Sequence, residues 1–466
     1  MSPARLASPL GRGVLLAAVV GSGMAFLDGT AINVALPALG RDLGAGMAGL
    51  QWTLDAYLLT LTAFLLLGGS LGDLYGQRRI YLVGVAWFAV ASALCGLVTS
   101  VAGLALARAV QGMGAAILVP GSLAAVRTCI AEEDQGSAIG AWAGLSGVTT
   151  AIGPLVGGWL VDAVSWRAVF FLNLPLAAIA LWAAGRFLES RPGRPGVRLD
   201  GAGALTAALG IGGTTFALIE GPARGWTLPA LVAGGAGLVA LGIFVQLERR
   251  PEAMLPLALF RSRAFTAANL TTLAVYAGLG SAIFLLALTL QTALGYSPLQ
   301  AGGALLPVTL LLLVLSPPFG RLAQRSGARV PMTLGPALVG VGLLLFVRVR
   351  GGSSYLEAVL PGVLVFALGL ATTVAPLTGA VLGAVGASHA GIASGVNTAV
   401  ARLAGLLGVA AVPWASGLAD PGALADPARL LVGFHRAMVV SAVLAFGGGA
   451  VSAWGIPGRA QRRAEG

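Results

Sequence analysis

Lysine is absent from this chain of 466 residues, and charged residues make up only 10% of it. A soluble globular protein of this length needs far more charge to cover its surface, which excludes that class. All 28 basic residues are arginine, a bias that reflects genomic base composition more than mechanism. The two cysteines, Cys95 and Cys129, form neither a disulfide framework nor a metal-binding spacing. No Walker-type phosphate loop occurs, which argues against work driven by ATP. No nucleophile–base set occurs either, so neither an enzyme nor a bound metal or cofactor is expected. The apolar run after Arg12 lacks the short hydrophobic core and cleavage site of a removable leader, and reads as a retained first span.

What the chain does have is apolar length. Hydrophobic residues make up 57% of it, in runs long enough to cross a bilayer. Such runs must be helical, because an unpaired backbone group is intolerable in hydrocarbon. The 70 glycines suit close packing of membrane helices. Fourteen spans are expected, at roughly 14–39, 51–72, 80–99, 101–126, 137–161, 168–187, 201–219, 229–247, 265–290, 300–320, 330–348, 358–380, 392–414 and 436–456. An even count puts both termini on one side. Placing them in the cytoplasm puts 19 arginines in inner segments and 7 in outer loops, in agreement with the positive-inside rule. The net charge of +11 is thus read as membrane orientation and not as an affinity for nucleic acid.

One short polar turn organises the chain, Gly69-Ser-Leu-Gly-Asp-Leu-Tyr-Gly-Gln-Arg-Arg79. It recurs 251 residues later as Gly320-Arg-Leu-Ala-Gln-Arg-Ser-Gly-Ala-Arg329, with Gly69, Leu71, Gly76 and Arg78 matched and Asp73 replaced by Gln324. A repeat of this kind in an apolar chain points to two related halves, as in many secondary transporters. Gly76 permits the backbone of a tight helix reversal. Asp73 is expected either to pair with Arg78 and Arg79 or to face the positive end of a neighbouring helix, making a latch that breaks in another conformation. The plainer alternative is a solvated loop with ordinary charge balance.

The Pro- and Arg-rich segment 188–200 is the clearest linker, and segment 248–263 is the next cytoplasmic loop. The expected organisation is an N-terminal six-helix bundle over 1–187, a linker with two inserted helices over 188–263, and a C-terminal six-helix bundle over 264–466. The insert accounts for about 50 residues of the repeat offset. The fold class is therefore an all-α polytopic membrane protein of fourteen spans.

Four intramembrane stretches carry candidate chemistry. In the first span, Leu27-Asp28-Gly-Thr-Ala-Ile-Asn33-Val-Ala-Leu-Pro37 places Asp28 roughly 16 Å deep at the rise of an α-helix. A carboxylate there is costly unless paired, protonated or hydrated. It suits a group that exchanges a proton for a cation, or else it is a structural polar group satisfied by its neighbours. In the second span, Asp55 lies about one turn inside the outer surface, near Tyr57, and reads equally as a second cavity carboxylate or as an interfacial acid. In the fourth, Arg108 lies about 10 Å from the outer end, with Gln111 one turn on. An arginine at that depth needs a partner, and Asp28 is at a comparable level. The pair is either a switch, in which the arginine moves to and from the carboxylate, or a fixed structural bridge. In the fifth, Gly153-Pro154 with Gly157 and Gly158 combines a missing backbone donor with small packing residues, a plausible gate. Arg402 is the sole charged residue in the interior of spans nine to fourteen, Arg348 and Arg436 standing at span ends. It orients an anionic substrate group or neutralises carbonyls. His389 reads as a solvated loop residue.

These stretches together resemble the fourteen-span drug:proton antiporter family of the major facilitator superfamily. The turn resembles its cytoplasmic signature Gly-x-Leu-x-Asp-x-x-Gly-x-Arg-Arg. Trp166-Arg167 with Asn173 and Pro175, and Asn397 to Gly408, add to the likeness. The resemblance implies two pseudo-symmetric bundles with a cavity near the midplane, and a proton gradient as energy source with no cofactor. It implies export of small amphipathic compounds through the cytoplasmic membrane, by a monomer. Asp28, Arg108 and Asp55 would couple protons, and Asn33, Tyr57, Gln111 and Arg402 would line the cavity. Gly69 to Arg79 and Gly153 to Gly158 would gate. The alternatives are export of an endogenous metabolite or lipid, or a membrane sensor that no longer transports.

Overall fold

A computed structural model describes residues 4–190, 192–193, 199–250, 255–386, 390–420 and 422–458. Parts of the expected linker (Arg191 and 194–198), of the loop at 251–254, and His389 lie outside the described residues. Among the described residues fourteen helices are long and apolar enough to cross a membrane. They are α1 (Pro9–Leu43), α2 (Met47–Tyr75), α3 (Gln77–Leu97), α4 (Val101–Cys129), α5 (Glu132–Ala163), α6 (Ala168–Phe187) and α7 (Gly201–Arg224). There follow α8 (Leu228–Leu247), α9 (Arg263–Thr292), α10 (Pro298–Ser326), α11 (Arg329–Arg348), α12 (Tyr355–Gly383), α13 (Ala390–Ala415) and α14 (Pro427–Gly455). Each expected span falls on one of them, and most extend beyond it.

Local chemistry sets the ends. The Ser8 hydroxyl accepts from the Gly11 amide and Pro9 occupies the first helical position, where its missing N–H is not needed. The Ser100 and Asp426 side chains cap α4 and α14 in the same way. α6 is interrupted at Leu172 between Ala168–Phe171 and Asn173–Phe187. α12 opens with a π turn over Tyr355–Val359.

The residues fall in two compact units. The first comprises Met1–Gly212, Gly237–Leu247 and Ser297–Leu299. Within it α1 packs on α5, α6 and α4, α2 on α4, and α3 on α4 and α6. The second comprises Gly213–Ala236, Glu248–Tyr296 and Gln300–Gly466. Within it α9 packs on α13, α14 and α12, α10 on α12, and α11 on α12 and α14. These are the same pairings displaced by eight helices, so the chain holds two six-helix bundles of one design with α7 and α8 inserted between them. α8 exposes Leu231, Val232, Leu238 and Val239 by more than half of their surface. Such a face is a liability in water and at ease among lipid tails. The chain is a multi-pass membrane protein.

The two turns singled out in the sequence are built alike. Gly76 ends α2 and Gly327 ends α10, each at φ 93°. The side-chain contacts at the first turn differ from expectation. Asp73 is exposed, and its Oδ1 accepts from the Gln77 amide at 2.9 Å. Arg78 donates to the Gly185 carbonyl near the end of α6 at 2.6 Å, and Arg79 is exposed. Among the described residues no ion pair joins Asp73 to either arginine. Gln77 lies just across the Gly76 turn from Asp73 and reaches it, whereas Arg78 points to a carbonyl left open by the end of α6.

Candidate functional site

Asp28 sits in the middle of α1, fully buried. Three donors from two other helices meet its carboxylate. Arg108 of α4 reaches Oδ2 at 2.5 Å. The amides of Gln111, also on α4, and of Asn173 on α6 both donate to Oδ1, at 2.9 and 3.0 Å. Gln111 lies one helical turn beyond Arg108, which is why both point at one atom group. Its own carbonyl accepts from Arg108 at 2.7 Å and from the Cys95 thiol at 3.6 Å.

Arg108 is 1% exposed, among the largest fully buried side chains. Its Nε donates to the Thr53 carbonyl on α2 at 3.0 Å. The guanidinium lies 4.3 Å from the centroid of the Tyr57 ring and 5.7 Å from that of Phe170. Two charges leaving water together lose several kcal/mol of hydration each, on the order of what a close pair regains in a dry interior. The extra hydrogen bonds and the aromatic faces make this pair tenable.

Helix packing brings α1, α2 and α4 close enough for this contact. A side chain at Gly112 would collide with the Tyr57 carbonyl and the Thr60 hydroxyl, so glycine there lets α4 lie directly on α2. Gly153 and Gly157 of α5 do the same against Thr30 and Ala31 of α1, and Gly158 against Pro298 and Leu299. α5 runs unbroken through Pro154. A side chain at Gly69 would meet Pro120 only at an ordinary contact distance of 3.8 Å.

The other candidates are dispersed. Asp55 is fully buried on α2, not close to water as its position near the helix end implies, and neither carboxylate oxygen has a hydrogen-bond partner among the described residues. The Tyr57 hydroxyl donates to the Ala25 carbonyl at 3.4 Å, and Asn33 to the Gly29 carbonyl at 3.2 Å, so both are tied to α1 backbone. Arg402 is half-buried on α13, in the other unit, within electrostatic reach of Tyr276. Five residues before it Asn397 donates to Asn269 at 3.1 Å and to Thr272 at 2.8 Å, a neutral network between α13 and α9.

Ser92, Cys95 and Thr53 escaped the reading of the sequence, as did the role of Asn173. Ser92 and Cys95 are isolated small residues in an apolar run, and Thr53 takes part only through its carbonyl, which no residue type signals. Asn173 did stand out, within the stretch from Trp166 to Pro175, but nothing in its spacing says that it meets Asp28.

Two matching six-helix bundles agree with the outcome of comparison with known proteins. The family model described as Major Facilitator Superfamily matches residues 18–409. The chain belongs to the major facilitator superfamily. This superfamily member is 36% identical over 426 residues to the multidrug resistance protein Stp of Mycobacterium tuberculosis (strain CDC 1551 / Oshkosh), covering 89% of this chain and 79% of that one. It is 35% identical over 408 residues to the methylenomycin A resistance protein of Bacillus subtilis (strain 168), covering 86% and 87%. It is 36% identical over 413 residues to the tetracenomycin C resistance and export protein of Streptomyces glaucescens, covering 85% and 74%. Its fold is shared by a bacterial homologue of the lysosomal transporter Spinster, with a TM-score of 0.67 at 16% identity over 96% of this chain and 97% of that one. A structure from work on proton-dependent oligopeptide transporters matches with a TM-score of 0.66 at 17% identity over 95% and 97%. At such identities these structures speak for the major facilitator fold alone.

Proposed function

We propose that this protein is a proton-coupled antiporter that exports small amphipathic compounds, drugs or antibiotics among them, through the cytoplasmic membrane by alternating access. The observation that carries the reading is the fully buried Asp28 held by Arg108 at 2.5 Å. A carboxylate inside a membrane helix is a standing expense, and coupling is the use that accounts for it. In this conformation the carboxylate is bonded to Arg108, and a carboxyl group that has taken up a proton no longer needs the guanidinium as its counter-ion. Proton release and uptake at Asp28 are thereby linked to the movement of α4 against α1. Gln111 is part of the same network, and Asp55 serves as an auxiliary acid.

The relatives named for multidrug resistance and for antibiotic resistance and export support the substrate class and the outward direction. The arginine bias supports cytoplasmic termini. The proton gradient is the energy source, no cofactor is needed, and a monomer suffices because each chain has both bundles. The turns at Gly76 and Gly327, and the Gly153–Gly158 segment, act as conformational elements.

The test is dye efflux driven by a pH gradient in everted vesicles. Asp28→Asn removes the titratable group at nearly constant shape, so concentrative export collapses while downhill equilibration of substrate persists. Wild-type concentrative export by Asp28→Asn refutes the assignment.

A further inference from the structure

Every polar contact that Asp28 receives is a donor: the Arg108 guanidinium, the Gln111 amide and the Asn173 amide. A carboxylate is acceptor-only when ionised and gains an O–H donor when protonated. The pocket as built therefore fits the ionised form, and a proton on Asp28 needs an acceptor that is not already used. The Gln111 carbonyl takes Arg108 and Cys95. The Asn173 carbonyl oxygen is buried and has no hydrogen-bond partner among the described residues. Asn173 itself is fully buried.

A second group fits the same account. The Asn173 amide nitrogen donates at once to Asp28 Oδ1 and, at 2.9 Å, to the Ser92 hydroxyl of α3. Ser92 passes its own proton to the Phe170 carbonyl at 2.8 Å. A half-turn of the amide exchanges its nitrogen and oxygen. The carbonyl then faces both Asp28 and Ser92, and the serine hydroxyl turns to it by giving up the Phe170 carbonyl.

We propose that Asn173, seated by Ser92, is a proton-responsive positioning residue: its amide presents N–H to ionised Asp28 and turns its carbonyl to protonated Asp28. The step is a proton transfer between water and the carboxylate with a rotation of a neutral amide, and no other bond changes. Asp28 keeps a partner in both states, while Arg108 is released only in the protonated one. The titratable or charged groups facing Asp28 from the surrounding helices are Arg108 of α4, Tyr57 of α2 beneath its guanidinium, and Cys95 of α3. Among the described residues α5 and α6 contribute none bonded to it. The inference rests on Asp28 being the proton carrier.

The chain has four asparagines, Asn33, Asn173, Asn269 and Asn397, so labelling their side-chain nitrogens gives a readable spectrum. Full-length protein in nanodiscs, labelled at asparagine Nδ2, is titrated by NMR, with the Asn173 signal identified by its loss in Asn173→Gln. The Asn173 amide shifts with the midpoint of proton-driven efflux, and the shift vanishes in Asp28→Asn. Asn173→Leu, close in size with neither donor nor acceptor, lowers turnover about tenfold, on the order of one hydrogen bond to a charged group. Its substrate affinity is kept, and Asn173→Gln recovers part of the rate. A flat Asn173 signal across the efflux transition overturns the proposal, as does a shift that survives in Asp28→Asn. The spectrum of the labelled wild type decides even if Asn173→Leu does not fold. Concentrative export by Asp28→Asn instead removes the proton-carrier reading beneath it.

Discussion

Gly76 and Gly327 stand 251 residues apart and close corresponding helices with the same backbone φ of 93°. The two turns share a shape that an L side chain resists, and they differ in charge, with Asp73 in one and Gln324 in the other. Shape and charge are separable by mutation.

The shape makes equal demands in both halves. Gly76→Ala and Gly327→Ala each force a Cβ into that backbone region, at about 1–2 kcal/mol. Thermal melts of the purified protein should fall by similar amounts for both. A melt unchanged in either variant contradicts the strain argument.

The charge does not. Asp73→Asn retains an acceptor for Gln77 and touches no core packing, so expression and melting stay near wild type. Transport falls if the turn's negative charge is used in another conformation. Gln324→Ala, at an exposed position with no acid to lose, matters less. Equal and severe loss in both variants rules out an asymmetric pair of turns.

Arg108→Ala leaves Asp28 buried without its counter-ion, a change on the order of 3–5 kcal/mol. Taking up a proton relieves that loss, so any residual efflux has its pH profile moved to higher pH. Combining Asp28→Asn with Arg108→Gln removes both charges and should recover much of the melting temperature while concentrative efflux stays absent. An active Arg108→Ala with an unmoved pH profile excludes the pairing from the coupling step.

Asp55 is a different case, because its carboxylate is buried with no hydrogen-bond partner among the described residues. Replacing it by leucine removes about 1–3 kcal/mol of unmet polar burial. Asp55→Leu should therefore melt higher than wild type. It and Asp55→Asn should export cationic dyes poorly and neutral ones nearly normally. Lower stability together with unselective loss of export shows that the carboxylate is structural.

Topology is open to a direct check. In a background lacking Cys95 and Cys129, cysteines at Pro192 and at the C-terminus should react with membrane-impermeant reagents only from the cytoplasm, and a cysteine at Gly352 only from outside. Labelling of the first two in intact cells overturns the orientation.

The sequence by itself determined the count of fourteen helices, because hydrocarbon admits no other use of such apolar lengths. It also determined the kinship of the two halves, since a tight reversal between helices needs glycine at the same place twice. The pairing of Asp28 and Arg108 was legible for a similar reason: rise per residue converts position into depth, and two unlike charges at comparable depth have few alternatives. Tertiary structure alone decided which atoms complete the site. The Thr53 carbonyl, Ser92, Cys95 and the Asn173 amide come from three other helices, and their part depends on rotation and approach of helices that hydropathy does not encode. The same holds for Asp55, which hydropathy puts near the outer surface and packing buries. It holds too for Arg78, which an adjacent acid seemed to claim and the open carbonyl end of α6 took instead.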